Sequence, residues 1–199
     1  ITEKEQLLRE GRTSPGGDIN GGIASTGRVA FQILKSLELG GSWHTGTYDE
    51  NGDNVLTIAA GDAAFAREVG GVKLGLEGEI ALAHFERDSF ARGAGVPDQF
   101  WGWYVQGAVG GMPEALRRLA PYVFDDQGAQ ITFVLRYDWV DLDKDEGSAI
   151  EPGITIRPIS DTVFKFSYKL TQESIGLRSV PGREHFDDDG FVFSISTYF

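Results

Sequence analysis

Between Val163 and Thr171 the chain alternates residue by residue. Phe164, Phe166, Tyr168 and Leu170 fall on one side, and Lys165, Ser167, Lys169 and Thr171 on the other. Side chains alternate across a β-strand, so this segment is a strand with one apolar face and one polar face. The same pattern recurs at Gln130–Asp138, where Ile131, Phe133, Leu135 and Tyr137 oppose Thr132, Val134, Arg136 and Asp138. It recurs at Val72–Ala83, with Leu74, Leu76, Ile80 and Leu82 against Lys73, Gly75, Glu77 and Glu79. The C-terminal stretch sets Phe191, Phe193, Ile195 and Phe199 against Ser194 and Ser196.

Less regular strands are expected at Thr26–Leu34, Leu37–Tyr48, Val55–Arg67, Gln99–Gly110 and Ile150–Arg157, which makes about nine in all. Val55–Arg67 alternates poorly, and a bulge is expected there. Helical signal is confined to Thr2–Glu10 and to Pro113–Leu119, where Pro113 suits a first helical position. No linker, low-complexity tract or domain boundary interrupts the chain, so residues 1–199 read as one all-β domain.

No stretch approaches the ~20 apolar residues of a membrane helix, which excludes a helical membrane protein but not a barrel. Of the 199 residues 12% are aromatic, 27 are Gly and none is Cys. The missing Cys rules out a disulfide framework and thiolate chemistry. The formal charge of −12 argues against nucleic-acid binding.

Connection lengths also alternate. Leu34–Leu37, Val69–Val72 and Pro158–Thr162 are tight. Asp49–Asn54, Arg87–Asp98, Asp143–Ala149 and Glu173–Asp189 are longer and acidic or Gly-rich. Short turns on one rim and long loops on the other are the pattern of an antiparallel transmembrane β-barrel of the outer membrane. Gly111–Ala129 breaks it, being long but on the short-turn rim. With the last strand running inward, the acidic loops fall outside and residues 1–25 form an external loop segment. Residues 26–199 then supply about nine strands, and an odd number of further strands is expected upstream. In this topology Trp43, Trp101, Trp103 and Trp139 lie near the external strand ends, and Phe31, Phe164 and Phe199 near the periplasmic ends. These are the two positions where interfacial aromatics are enriched.

The terminal run Phe191-Val-Phe-Ser-Ile-Ser-Thr-Tyr-Phe199 resembles the C-terminal signal of outer-membrane barrels, which the barrel assembly machinery reads. Phe191, Phe193, Ile195 and Phe199 match, and Thr197 departs, since an aromatic is common there. Over about residues 26–199 the chain resembles the C-terminal half of the phosphate-selective porin (porin O and P) family. The resemblance rests on Gly27-Arg-Val-Ala-Phe31 with Leu37-Glu-Leu-Gly-Gly-Ser-Trp43, on Gly102-Trp-Tyr-Val-Gln106, on Leu135-Arg-Tyr-Asp138 with Val140-Asp-Leu-Asp143, and on Gly153-Ile-Thr-Ile-Arg-Pro158. It implies a barrel of about sixteen strands, usually a homotrimer, integral to the bacterial outer membrane and in contact with its lipid and lipopolysaccharide.

Taking the polar faces as the lumen, Arg28, Lys73, Arg136, Arg157, Lys165 and Lys169 point inward as the basic pore lining. Glu38, Asp62, Glu77, Glu79, Asp138 and Glu151 are its acidic counterpart. Acid gathers on the second to fourth strands and base on the sixth to eighth, with Arg136, Arg157, Lys165 and Lys169 expected to form one contiguous strip. Such a strip would favour anions in a passive porin for small, phosphate-like solutes, with no cofactor. The competing reading pairs these charges across strands to hold the wall together. Three rival functions stand beside the channel: a non-transporting structural or adhesive barrel, a soluble β-barrel binding protein, and an outer-membrane hydrolase. The hydrolase has little support. His44, His84 and His185 are isolated, and Ser42 with His44 diverge as i, i+2 neighbours, so no catalytic residue is assigned. Asp49, Asn51 and Asp53 have the early spacing of a Ca²⁺ loop, but Asn54 replaces its Gly and the terminal Glu is missing, so no metal site is assigned.

Overall fold

The computed structural model describes residues 23–48, 53–88, 97–122, 124, 128–141, 146–174 and 189–197. The expected helix at Thr2–Glu10, most of the 1–25 segment, Phe199, His185 and most residues of the acidic loops lie outside the described residues.

Nine strands form one antiparallel sheet in strict sequence order. They are β1 (Ser25–Leu34), β2 (Leu37–Thr47), β3 (Val55–Val69), β4 (Val72–Phe85), β5 (Gln99–Gly111), β6 (Gln130–Asp141), β7 (Glu146–Ile159), β8 (Thr162–Ser174) and β9 (Gly190–Thr197). A short helix, α1 (Glu114–Leu119), lies in the β5–β6 connection. Each strand contacts only its sequence neighbours, so β1 and β9 are free edges and the sheet is not closed. With nine strands β1 and β9 run in the same direction, so joining them directly would make a parallel pair in an otherwise antiparallel sheet.

The tightest turn shows why the meander forms. Gly70 and Gly71 have φ of +60° and +80° between Val69 and Val72. A two-residue hairpin with both central residues at positive φ matches the twist of its strands, and glycine enters that region without a Cβ penalty. α1 begins one residue later than the sequence predicts. Pro113 is its cap, with extended backbone, rather than its first helical residue.

Two other expectations need correction. β3 pairs with β2 and β4 without interruption, so it carries no bulge. Its weak alternation comes from Ala59, Gly61 and Ala63 on the apolar face, opposite the large Leu82, Ile80, Leu39 and Trp43 of its neighbours. The register shifts fall instead at Gln32/Leu34 and at Ile156/Ile159, both beside tight turns. The expected loop Asp143–Ala149 is also shorter, because Glu146–Ala149 belong to β7 and pair with Asp138–Asp141. Gly147 and Ser148 carry no apolar signal, yet their backbone groups complete the ladder.

Directly opposed residues share a face, so the register sorts the whole sheet. One face carries most of the aliphatic and aromatic residues, including Leu74–Val109–Phe133–Ile154–Phe166–Phe193 in one row across six strands; Leu56, Ile58, Phe85, Phe100 and Tyr104 fall on the opposite face. The other carries charges, amides, hydroxyls and small residues. Among the described residues nothing covers the apolar face. Phe133 is 64% exposed and Leu135 58%, and among the described residues the buried apolar side chains are only Ala129, Ala149 and Val163. The sheet therefore has no conventional core.

Candidate functional site

All twelve charges assigned to the lumen from sequence lie on the same face of the sheet. Their chemistry divides them. Arg28 on β1 reaches over β2 to Asp62 on β3, with Nη2 donating at 2.7 Å, and donates at 3.1 Å to Glu38. Lys73 on β4 likewise reaches over β5 to Gln130 on β6, Nζ to Oε1 at 3.0 Å. Each bridge passes over a glycine. A Cβ at Gly40 would stand 2.5 Å from the Asp62 carboxylate and 2.7 Å from Arg28, and one at Gly110 would stand 2.5 Å from Gln130. Glycine at these two positions lets side chains of alternate strands meet. Gly40→Ala is expected to separate Arg28 from Asp62 and lower the urea midpoint of the folded protein. The loss should be small, as for a charge-assisted bond screened by solvent on an exposed face. Combining it with Asp62→Ala should add little; full additivity would dismiss the bridge.

Arg136 is the most tightly held charge. Its Nε and Nη2 donate to Asp138 at 2.9 and 2.6 Å, and its guanidinium lies 3.8 Å from the centroid of the Tyr104 ring. Both carboxylate oxygens are engaged, the second at 3.0 Å from Nε. The expected contiguous basic strip is thus broken at one end, because Arg136 is neutralised within its own strand. Arg157, Lys165 and Lys169 on β7 and β8 make no hydrogen bond or ion pair among the described residues, and neither do Glu79 and Glu151. The register places Lys165 level with Thr155 and Thr132. Ile150↔Leu170 and Gly153↔Ser167 on either side set Lys169 level with Glu151 and Arg136. Glu77 accepts at 2.9 Å from Gln106. The charged face consequently holds Arg157, Lys165 and Lys169 on β7–β8 and Glu79 on β4 without ion pairs among the described residues, with Glu151 level with Lys169.

Where small residues replace long ones, the charged face dips. A depression of about 370 Å³ opens over Ala81, Gly102, Gly147 and Ala149. Glu79, Tyr104, Asp138, Lys169 and Thr171 border it.

The aromatics also segregate by rim. Trp43, Trp101, Trp103 and Trp139 share the apolar face near the long-connection ends of β2, β5 and β6. Trp101 packs edge-on to Trp139 at 4.6 Å, and its indole N–H donates to Asp141 at 3.0 Å. The Trp43 indole lies over Gly27, its cross-strand partner, where any side chain would collide with the ring. Phe164 and Ile195 are paired on the same face near the short-turn rim. Phe191 and Phe193 are exposed on the same face further from that rim and lie beside Phe166 at 6.5 and 4.8 Å.

Several site features escape sequence reading. Tyr104 is in phase with Gln106 on β5, so its face is readable, but its stacking under Arg136 depends on the β5–β6 register. Tyr48, Phe85 and Phe100 form an aromatic cluster on the charged face at the long-connection rim, with ring centroids 5.9 and 5.0 Å apart. There the face is not polar, contrary to the simple alternation. Ser42 and His44 share the charged face on β2. Among the described residues no three His, Asp or Glu side chains are placed to hold a metal ion. No helix of the described residues is long and apolar enough to cross a membrane, which says nothing of strands.

No family model, curated protein or solved structure matches this chain.

Proposed function

We propose that the sheet is part of the wall of an outer-membrane β-barrel, and that the barrel is a porin-type diffusion channel for small, anionic, phosphate-like solutes. One observation carries the membrane reading: a nine-stranded sheet exposes a broad apolar face and sets its charges on the other, apart from Arg67, Asp141 and Glu146 near the strand ends. In water such a face would be an aggregation surface far larger than soluble proteins leave bare. Facing hydrocarbon it needs no cover, because the strands between the two edges, β2 to β8, pair with a neighbour on either side. The apolar face of β4 from Val72 to Leu82 runs about 34 Å at ~3.4 Å per residue. Tilted by about 40° it covers roughly 26 Å, the height of the apolar band of such barrels. The tryptophans then sit at one interface, with Trp101 N–H directed to a rim carboxylate. The free edges of β1 and β9 are closed by an odd number of further strands, which keeps the barrel antiparallel. The barrel assembly machinery would read the terminal aromatic pattern.

The charged face becomes the lumen wall, and Arg157, Lys165 and Lys169 are the charges available to a passing solute. A second reading is favoured by the Arg28–Glu38–Asp62 and Arg136–Asp138 contacts, which staple the wall and suit a structural or adhesive barrel that does not conduct. Single-channel recording of the complete protein in a planar bilayer separates the two. Changing Lys165 and Lys169 together to Glu is expected to move the reversal potential in a salt gradient toward cation preference. The shift should shrink as salt rises, since screening acts within ~8 Å at physiological ionic strength. An unchanged reversal potential in a folded, conducting barrel refutes the anion reading; absent conductance refutes the channel.

A further inference from the structure

The depression on the charged face is bracketed by charges of opposite sign, each without a partner among the described residues: Glu79 on β4 and Lys169 on β8. Their strands are four inter-strand spacings apart, about 19 Å along the sheet. Both side chains line the same hollow, and a Glu and a Lys leaning in from its two sides would shorten the span between the charges to roughly 10 Å, the length of about three extended residues. Between them the floor is Ala81, Gly102, Gly147 and Ala149, which leaves room for a backbone. Asp138 offers carboxylate oxygens along the hollow, and Arg136 already balances its charge. We infer that this hollow is a binding site for short zwitterionic peptides, with the ammonium end toward Glu79 and the carboxylate end toward Lys169.

Only a dipolar solute of this length satisfies both ends at once. A simple anion meets Lys169 but is repelled by Glu79, and a simple cation meets the reverse. The wall's separated charges therefore orient a peptide across the pore axis rather than merely attracting one sign. This inference rests on the reading of the charged face as a solute-accessible lumen, and it names a solute class for it beyond simple anions.

Saturation-transfer NMR on the complete protein in detergent micelles tests it without requiring conduction. Triglycine should bind more tightly than N-acetyl-triglycine or triglycine amide. Each capped form lacks one exposed ionic contact, a loss of about three- to fivefold in affinity. Glu79→Gln should weaken triglycine and make the acetyl form bind better than the amide; Lys169→Gln should weaken triglycine and make the amide bind better than the acetyl form. Equal binding of all three peptides, or triglycine binding indifferent to both substitutions, overturns the inference. Conductance measured on the same preparation keeps the two readings apart. Peptide discrimination without conductance upholds the site and refutes the channel, and conductance without discrimination does the opposite.

Discussion

Phe166→Arg is expected to destabilise the folded protein in a lipid bilayer by roughly 2–4 kcal/mol, the range for a cation on the lipid face near mid-membrane. Phe166 lies well inside β8, opposite Ile154 on β7 and Phe193 on β9, in the row of apolar side chains that crosses six strands. An Arg there has no carboxylate on its own face within the row. Its guanidinium must be drawn into hydrocarbon or must pull water and headgroups inward. The neighbouring Ser167 supplies the control. It differs by one position, points to the charged face and lies level with Gly153, so Ser167→Arg should cost well under 1 kcal/mol if that face is wet. Urea titration in phospholipid vesicles measures both. Equal costs at the two positions would contradict a lipid-facing surface, and a larger cost at Ser167 would invert the barrel.

Arg136→Ala is expected to cost about 1.5–3 kcal/mol, because it removes charge-assisted bonds and leaves the half-buried Asp138 carboxylate without its cation. The bidentate geometry and the Tyr104 ring beneath the guanidinium make this the best-supported ion pair of the wall. Asp138→Ala should cost less than the sum suggests when combined with it, and a double-mutant cycle should return a coupling of about 1 kcal/mol or more. The same residue should matter little for ion selectivity. Arg136 and Asp138 cancel at 2.6 Å, so the isoelectric double variant Arg136→Ala/Asp138→Ala should leave the reversal potential near that of the parent. Additive stability effects would dismiss the pair, and a marked selectivity change would return Arg136 to the set of solute-facing charges.

The strands were largely legible because alternation is a local property. Val163–Thr171 announces both its conformation and its two faces, and the observed β8 extends it by a residue or more at each end. β3 was legible as a strand but misleading in detail. Its small residues accommodate large partners on β2 and β4, and nothing within the segment reveals those partners. The sequence predicts a loop over Glu146–Ala149 because Gly147 and Ser148 contribute backbone pairing rather than side-chain pattern.

The sequence by itself determined the period, the short two-residue turns, the sidedness of the regularly alternating strands and which charges share a face. These follow from side-chain polarity at spacing two and from glycine's access to positive φ at Gly70 and Gly71. Only the tertiary structure decided which of those charges are spent on one another. The Arg28 bridge over Gly40, the Lys73 bridge over Gly110 and the facing of Glu79 to Lys169 across a hollow all join residues on different strands. Such contacts depend on inter-strand register, which positions each residue along its neighbours. Register is set jointly by turns, bulges and packing over the whole sheet, and no single strand encodes it.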